Sequence, residues 1–281
     1  MSRIQDILNK AERDGTVRRI RTVADPIVAA GLAAPDAVAT VVPPPAPLVE
    51  ELRAAPVAAP LPPVPRPRSV GAASLDPSLV AALAPHAATA EQYRALRTRI
   101  VHADHGSGVR VVLVTSPGRG EGKSVTVANL GLAMAQEYQQ RICIVDANLR
   151  DPQLHRLFGL PGTPGLADVL AGRAALEDAL VAIDDLNITV LPAGEPAAHP
   201  AELLGTVSMR RTFDALRSTF DRVVIDAPAA TPLADVGILA PQVDSVLLVV
   251  RAGMTKKPSI QEAINSVEPG KLLGVVFNAA A

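Results

Sequence analysis

The residue types best suited to chemistry stand close together near residue 120, where glycines alternate with other residues before a lysine and a serine. Gly118, Gly120 and Gly122 allow backbone N–H groups to turn inward around an anion. Lys123 can supply a cation to the β- and γ-phosphates of a nucleotide, and the Ser124 hydroxyl can contact Mg²⁺. These residues predict a phosphate-binding loop that takes ATP and Mg²⁺.

The surroundings of these glycines are those of a P-loop from Pro117 to Ser124, since an apolar strand pattern precedes it and a helical pattern follows. Pro117 occupies the usual first-glycine position, and Gly118 comes one step later. A glycine-rich turn without a nucleotide is the alternative, but it leaves the coincidence of strand, glycines, Lys-Ser and helix unexplained. The predicted nucleotide-binding residues are Gly118, Arg119, Gly120, Glu121, Gly122, Lys123, Ser124 and Val125.

Two aspartates, Asp146 and Asp226, each end an apolar strand pattern. A carboxylate in that position can hold a Mg²⁺ water or orient a nucleophile. Asp146 could instead cap a helix that begins near Asp151, and Asp235 is interpreted as a capping or packing residue. The predicted catalytic residues are Lys123, Asp146 and Asp226, and the predicted metal ligands are Ser124, Asp146 and Asp226.

These side chains need a scaffold that brings strand ends together, and the sequence beyond residue 87 alternates short apolar strands with helical patterns. This alternation predicts an α/β fold with a mostly parallel central sheet, helices on both faces and ligands at the carboxyl ends of the strands. Strands are predicted at residues 109–115, 141–146, 188–193, 222–226, 245–251 and 271–277. Helices are predicted near residues 123–138, 152–158, 165–183, 200–220, 232–240 and 257–267.

The first 86 residues have a different composition. Residues 1–15 read as a short amphipathic helix, because Ile4, Ile7, Leu8 and Ala11 repeat at helical spacing. Residues 16–86 are rich in alanine and proline, and proline removes backbone donors, so this range is predicted to be a disordered linker. The P-loop domain is then predicted at residues 87–281.

Charge and composition exclude several classes of function. The formal net charge of −1 and pI near 6.5 give no general attraction to nucleic acid, which is not expected as a partner. The single cysteine, Cys143, lies in an apolar run and is predicted to be a buried structural thiol. Apolar runs such as Val246 to Val250 are far shorter than the roughly 20 residues needed to span a bilayer. The protein is therefore expected to be cytoplasmic, without a transmembrane segment.

Together these motifs resemble the bacterial tyrosine kinases and related ATPases of capsule and exopolysaccharide export, within the MinD/ParA-like deviant-Walker group. The stretch from Thr115 to Ser124 is similar to that family's Walker A motif, the stretch from Val145 to Arg150 to its Walker A′ motif, and Val224-Ile-Asp-Ala-Pro to its Walker B motif. MinD and ParA proteins carry a signature lysine where this chain has Gly118, which favours the polysaccharide branch.

The resemblance also implies partners. Glu91, Arg94 and Arg97 fit the family's E-x-x-R-x-x-R motif, which implies ring-like self-association. A solvated surface salt bridge is the alternative, since a spacing of three places these charges along one helix face. The family further implies recruitment to the inner face of the membrane by a polysaccharide co-polymerase or chain-length regulator.

Two departures from the family leave the function open between alternatives. Asn148 stands where a second aspartate is usual, and an amide supplies neither negative charge nor a base. The only tyrosines are Tyr93 and Tyr138, whereas the kinases tend to end in a tyrosine-rich tail. The sequence therefore predicts a Mg-ATP-dependent, kinase-like ATPase regulating capsular or exopolysaccharide export, with a nucleotide-switched scaffold or a positioning ATPase as alternatives.

Overall fold

Eight strands, most of them short apolar runs rich in valine, isoleucine and leucine, form one sheet. The structure is a computed structural model that describes residues 68–70, 74–103, 108–137, 140–231 and 234–278. The strands are β1 Arg68–Val70, β2 Val111–Thr115, β3 Ile142–Asp146, β4 Val181–Ile183, β5 Ile188–Leu191, β6 Arg222–Asp226, β7 Ser245–Arg251 and β8 Leu272–Asn278.

The strand order across the sheet is β1-β4-β5-β3-β6-β2-β7-β8. The six strands from β5 to β8 in this order all run parallel to one another. β4 pairs antiparallel with β5, and β1 pairs parallel with β4. The central strands β2 and β3 are buried at every position, because helices cover both faces of a parallel sheet. All six predicted strands are present, and the predicted fold class is confirmed.

Helices connect these strands. They are α1 Val80–Leu83, α2 Ala88–Ala103, α3 Lys123–Ala135, α4 Leu154–Leu157, α5 Leu166–Leu170, α6 Leu176–Ala179, α7 Pro200–Leu204, α8 Val207–Thr219, α9 Asp235–Leu239 and α10 Lys257–Asn265. Short 3₁₀ turns occupy Asp184–Leu186 and Ala240–Gln242. No helix within these described ranges is both long and apolar enough to cross a membrane.

Side chains that alternate along each strand supply two core layers. In β2, Val111 and Leu113 face one layer, whereas Val112 and Val114 face the other. The second layer contains α3, which lies so close to the sheet that a Cβ at Gly131 would stand 2.4 Å from Ile144 Cδ1. The predicted buried thiol of Cys143 is confirmed.

Two predicted helices are wrong in extent. Residues 165–183 form α5, α6 and then β4, because Gly172 adopts φ 71° after α5 and the branched Val181 and Ile183 pair with β5. Residues 200–220 form α7 and α8, since Thr206 starts a new helix by accepting a hydrogen bond from Met209 N.

The packed structure also begins earlier than residue 87. Within the predicted linker, residues 68–70 form β1 and residues 80–83 form α1. Leu79 is fully buried, and Asn129 of α3 accepts a hydrogen bond from Ala81 N and donates one to Ser78 O. Apolar burial and amide pairing therefore fix this segment despite its prolines. The predicted amphipathic helix, the linker up to residue 67 and Tyr138 lie outside the described residues.

Candidate functional site

The glycine-rich loop joins the carboxyl end of β2 to the amino terminus of α3, as a P-loop requires. Gly122 precedes the helix with φ 85°, and a Cβ there would lie 1.9 Å from Asn278 Nδ2. Gly120 also has a positive φ, of 73°. The backbone therefore needs glycine at both positions, and the partial positive end of a 13-residue helix adjoins the loop.

The side chains of the loop differ in exposure. Arg119 is exposed, Lys123 and Val125 are half-buried, and Ser124 is buried. Lys123 lies close enough to Asp226 for its positive charge to lower the pKa of that carboxyl. An ammonium group beside the loop amides is the arrangement that phosphate binding requires.

The Glu121 side chain braces the loop instead of facing an open site. Its Oε1 accepts a hydrogen bond from Gly118 N at 3.0 Å. Its Oε2 accepts one from Arg251 N at 3.0 Å and one from the Thr255 hydroxyl at 2.8 Å. Asn278 Nδ2 donates to the Glu121 carbonyl at 2.9 Å. Glu121 therefore ties the P-loop to the carboxyl ends of β7 and β8, a role that the local sequence did not reveal.

The sheet register brings the two predicted aspartates together. Asp146 and Asp226 are direct partners on β3 and β6, and both are fully buried. The Ser124 hydroxyl donates to Asp226 Oδ2 at 2.5 Å. Asp226 Oδ1 is buried without a hydrogen-bond partner among the described residues. A buried carboxylate oxygen with no donor, beside a serine hydroxyl, fits an oxygen-seeking cation such as Mg²⁺.

The pKa values of both carboxyl groups are shifted. Burial first, and then the neighbouring Asp226 charge, raises the pKa of Asp146 above its ordinary range. Burial likewise raises the pKa of Asp226, although Lys123 and the Ser124 hydroxyl act in the opposite direction. A dication would relieve the repulsion between the carboxylates and replace the proton that the pair retains.

Asp146 has a structural role as well. Its Oδ2 accepts hydrogen bonds from Gln153 N and Leu154 N, both at 3.0 Å, and its Oδ1 accepts one from Asn148 N at 3.1 Å. Asp146 therefore binds backbone N–H groups at the start of a helix, although that helix begins at Leu154 and not near Asp151. The carboxylate is held by three backbone donors in a fixed orientation.

Asn148 uses its amide within the same turn. Its Nδ2 donates to the Asp151 carbonyl at 2.7 Å, and its side chain is nearly fully buried. An aspartate at this position could not donate that hydrogen bond. The departure from the family pattern therefore stabilises the turn after β3 at the expense of a second carboxylate.

An ion pair links this turn to the helix after β6. Arg150 Nε lies 2.7 Å from Asp235 Oδ2, and Arg150 Nη2 lies 3.1 Å from Asp235 Oδ1. The hydrogen bond to Asp235 raises the pKa of Arg150, and the Asp235 side chain is fully buried. Asp235 is thus a buried ion-pair partner. The Walker A′-like stretch contained Arg150, but nothing in the sequence named its partner.

The three predicted self-association residues make contacts within the chain. Arg94 pairs with Glu91 at 2.7 Å and donates to the Pro85 carbonyl at 2.7 Å. Arg97 donates to the Ala133 carbonyl at 2.9 Å, near the end of α3. Glu91 remains two-thirds exposed, whereas Arg94 is about one-quarter exposed. The Glu91 to Arg94 contact is the ion pair expected from helical spacing.

Two cavities lie apart from the P-loop and share Arg173. One, of about 400 Å³, adjoins α7, and the other, of about 340 Å³, lies near α5. Among the described residues there is no cluster of three or more histidine, cysteine or acidic side chains that could hold a metal ion. Ser124, Asp146 and Asp226 remain the predicted metal ligands.

Several known bacterial proteins are similar in sequence to this chain. The chain is 34% identical over 203 residues to the tyrosine-protein kinase YwqD of Bacillus subtilis, covering 72% of this chain and 85% of that protein. The chain belongs to the bacterial tyrosine-protein kinase family. A second member of the family, the tyrosine-protein kinase CpsD of Streptococcus agalactiae, is 31% identical over 193 residues, which is 68% of this chain and 83% of that protein.

Solved structures of the family show the same fold. The kinase domain of the Escherichia coli tyrosine kinase ETK matches with a TM-score of 0.70 and 25% identity, over 74% of this chain and 82% of that chain. No protein-family model matches the sequence. The predicted family and the predicted enzyme class, a kinase-like P-loop protein, are confirmed.

Proposed function

We propose that the chain binds Mg-ATP at the P-loop and transfers the γ-phosphate to tyrosine on a protein. The observation that carries this proposal is the buried Asp226 carboxylate, which accepts a hydrogen bond from Ser124 on one oxygen and has no described partner on the other. Membership of the tyrosine-protein kinase family supports phosphate transfer as the reaction.

The residues of the site have separate roles in this proposal. Loop amides and Lys123 bind the β- and γ-phosphates and offset their charge. Ser124, Asp226 and Asp146 would hold Mg²⁺, directly or through water, and the bound ion would neutralise phosphate charge. Asp146, fixed by its three backbone donors, would orient the attacking hydroxyl.

A different protein is proposed as the acceptor. Tyr93 is half-buried on α2, where burial raises the pKa of its hydroxyl and a hydrogen bond with Thr126 acts in the opposite direction. It therefore packs against the P-loop helix and is poorly placed to receive phosphate from the same chain. Regulation of capsular or exopolysaccharide biosynthesis, with recruitment by a membrane co-polymerase, is proposed from the family resemblance.

The test is ATP binding and phosphotyrosine formation by the purified full chain. Lys123→Met is expected to weaken Mg-ATP binding and abolish labelling from radiolabelled ATP, because the loop loses its cation. Lys257→Met, which removes an exposed lysine on α10, serves as the matched control. No phosphotyrosine on the chain or on proteins encoded beside it would remove the kinase proposal, and equal ATP affinity in both variants would remove the phosphate-binding role.

A second candidate is a nucleotide-switched scaffold with weak catalysis, and the Asn148 amide favours it. This amide donates a hydrogen bond to the Asp151 carbonyl. Because residue 148 is asparagine, the turn after β3 has one carboxylate fewer than the family pattern. If the missing carboxylate limits turnover, Asn148→Asp should raise ATP turnover while lowering stability by about 1–3 kcal/mol through the lost hydrogen bond. Unchanged turnover in a folded Asn148→Asp protein counts against the scaffold.

A further inference from the structure

An ion pair between the exposed Arg150 and the buried Asp235 joins the two segments that leave the carboxylate-bearing strands. Arg150 lies in the turn after β3, four residues beyond Asp146. Asp235 is the first residue of α9 and ends the connection that starts after Asp226. The contact is bidentate, with distances of 2.7 and 3.1 Å, which fixes both separation and angle.

The turn that Arg150 occupies also supplies the donors that orient Asp146. Asn148 N and Gln153 N, which flank Arg150 in sequence, both donate to the Asp146 carboxylate. Movement of this turn would therefore change the direction in which the Asp146 oxygens face. Ala147, the residue after Asp146, donates its N–H to the Asp226 carbonyl at 2.9 Å. The segments that follow β3 and β6 therefore begin beside each other.

We propose that Arg150 and Asp235 are positioning residues that hold the Asp146 carboxylate, beside Asp226, in the arrangement required for Mg²⁺, acting through the turn at residues 147–153. This inference rests on the proposed Mg-ATP function. The P-loop itself is braced separately, by Glu121 and the ends of β7 and β8. The ion pair consequently governs the metal side of the site and leaves phosphate binding by the loop largely unaffected.

The experiment compares Arg150→Gln, Asp235→Asn and the double variant with the wild-type full chain. Amide hydrogen exchange is measured without nucleotide over residues 147–154 and over the P-loop. The Mg²⁺ dependence of ATP turnover, the ATP affinity without Mg²⁺ and the melting temperature are measured on the same samples. Arg141→Gln is the matched control, since Arg141 pairs with Asp221 at 3.3 Å beside the opposite end of β3.

Arg150→Gln is expected to speed amide exchange in residues 147–154 and leave the P-loop peptide unchanged. It should raise the Mg²⁺ concentration needed for half-maximal turnover and lower turnover by about 10- to 100-fold. ATP affinity without Mg²⁺ should stay near the wild-type value. The double variant, which removes the unpaired buried charge of Asp235, should regain melting temperature without regaining turnover. Arg141→Gln should change none of these readouts except stability.

Three results would overturn the proposal. Wild-type exchange and Mg²⁺ dependence in Arg150→Gln would show that the pair does not position the turn. Turnover that recovers together with melting temperature in the double variant would show a purely structural ion pair. Parallel losses of metal-free ATP affinity and turnover would place the effect at the P-loop. Failure of the Mg-ATP proposal gives a different result, because the wild-type chain itself would then lack Mg²⁺-dependent turnover. The comparison of amide exchange between Arg150→Gln and the wild type would still test the positioning of the turn.

Discussion

At the scale of single residues, two adjacent buried carboxyl groups make the folded protein sensitive to pH. Asp146 and Asp226 are fully buried neighbours, and burial is the largest cause that raises the pKa of each. Each group therefore holds its proton more tightly in the folded protein than in the unfolded chain. The nucleotide-free protein should lose stability as the pH rises from the ordinary carboxyl pKa of 3.8 through the raised values.

Asp226→Asn is expected to flatten this pH dependence. The variant removes one raised pKa and the like charge that acts on Asp146, and it retains an oxygen that can accept from Ser124. Chemical denaturation of the nucleotide-free protein from about pH 5 to about pH 8 measures the change. Asp221→Asn is the control, because Asp221 is partly exposed and its pKa is lowered, chiefly by the Arg141 backbone hydrogen bond. A wild-type slope in Asp226→Asn would contradict the interpretation.

Glu121 gives a second prediction at this scale. Glu121→Gln keeps the shape of the side chain but removes one acceptor oxygen and the charge from three hydrogen bonds. We expect ATP affinity to fall by about tenfold, since charge-assisted hydrogen bonds contribute about 1.5–3 kcal/mol each in favourable cases. Titration calorimetry with Mg-ATP would measure it, and Glu262→Gln on the exposed side of α10 is the control. Equal affinities in the two variants would mean that the loop needs no brace.

At the scale of elements, α2 supports the P-loop helix. Arg97 of α2 donates to the Ala133 carbonyl near the carboxyl end of α3, where a positive charge is favourable. Tyr93 of α2 contacts Thr126 in the first turns of α3. The helix predicted to mediate self-association is therefore the same helix that packs against the P-loop helix.

Variants along α2 separate these two roles. Arg97→Gln should lower the free energy of unfolding by about 1–2 kcal/mol, because the Ala133 carbonyl loses its charged donor. Glu91→Gln, at a two-thirds exposed position, should change stability by less than about 0.5 kcal/mol. If the motif mediates self-association, both variants should shift sedimentation toward the monomer. An assembled Glu91→Gln protein with wild-type sedimentation would restrict the motif to its contacts within the chain.

At the scale of the whole molecule, the folded unit extends into sequence that its composition assigned to a linker. Leu79 is fully buried among core residues that also pack against α3, and Asp76 N donates to the Leu157 carbonyl at 2.9 Å. The segment thus contacts both the P-loop helix and the helix capped by Asp146. Its packing should contribute directly to stability.

Leu79→Ala and Leu83→Ala test this contribution with a matched pair from one short segment. Leu79→Ala should destabilise the protein by about 2–5 kcal/mol, as is typical when a buried leucine is truncated. Leu83 is 53% exposed, and Leu83→Ala should cost less than about 0.5 kcal/mol. Thermal and denaturant unfolding would measure both. An equally small loss of stability in both variants would show that residues before 87 are peripheral to the folded unit.

Much of the fold and part of the site followed from local patterns. Five of the six parallel strands are apolar runs that are buried at nearly every position, as their composition predicts, whereas the edge strand β8 is mostly half-buried. β4 could not be predicted, because Val181 to Ile183 follow a helical pattern and become a strand only through pairing with β5. Among the site residues, the P-loop positions were recognisable, whereas the Glu121 brace depends on Thr255 and Arg251, more than 100 residues away.

The sequence by itself determined the P-loop between β2 and α3, since glycine positions, Lys123, Ser124 and the following helix are contiguous and their backbone conformations are local properties. It also determined which strands end in aspartate. Only the tertiary structure decided that Asp146 and Asp226 lie side by side. It also decided that the Asn148 amide donates to the Asp151 carbonyl and that Arg150 pairs with Asp235. The physical reason is that strand order and register, which no local propensity encodes, select the partners of every buried charge.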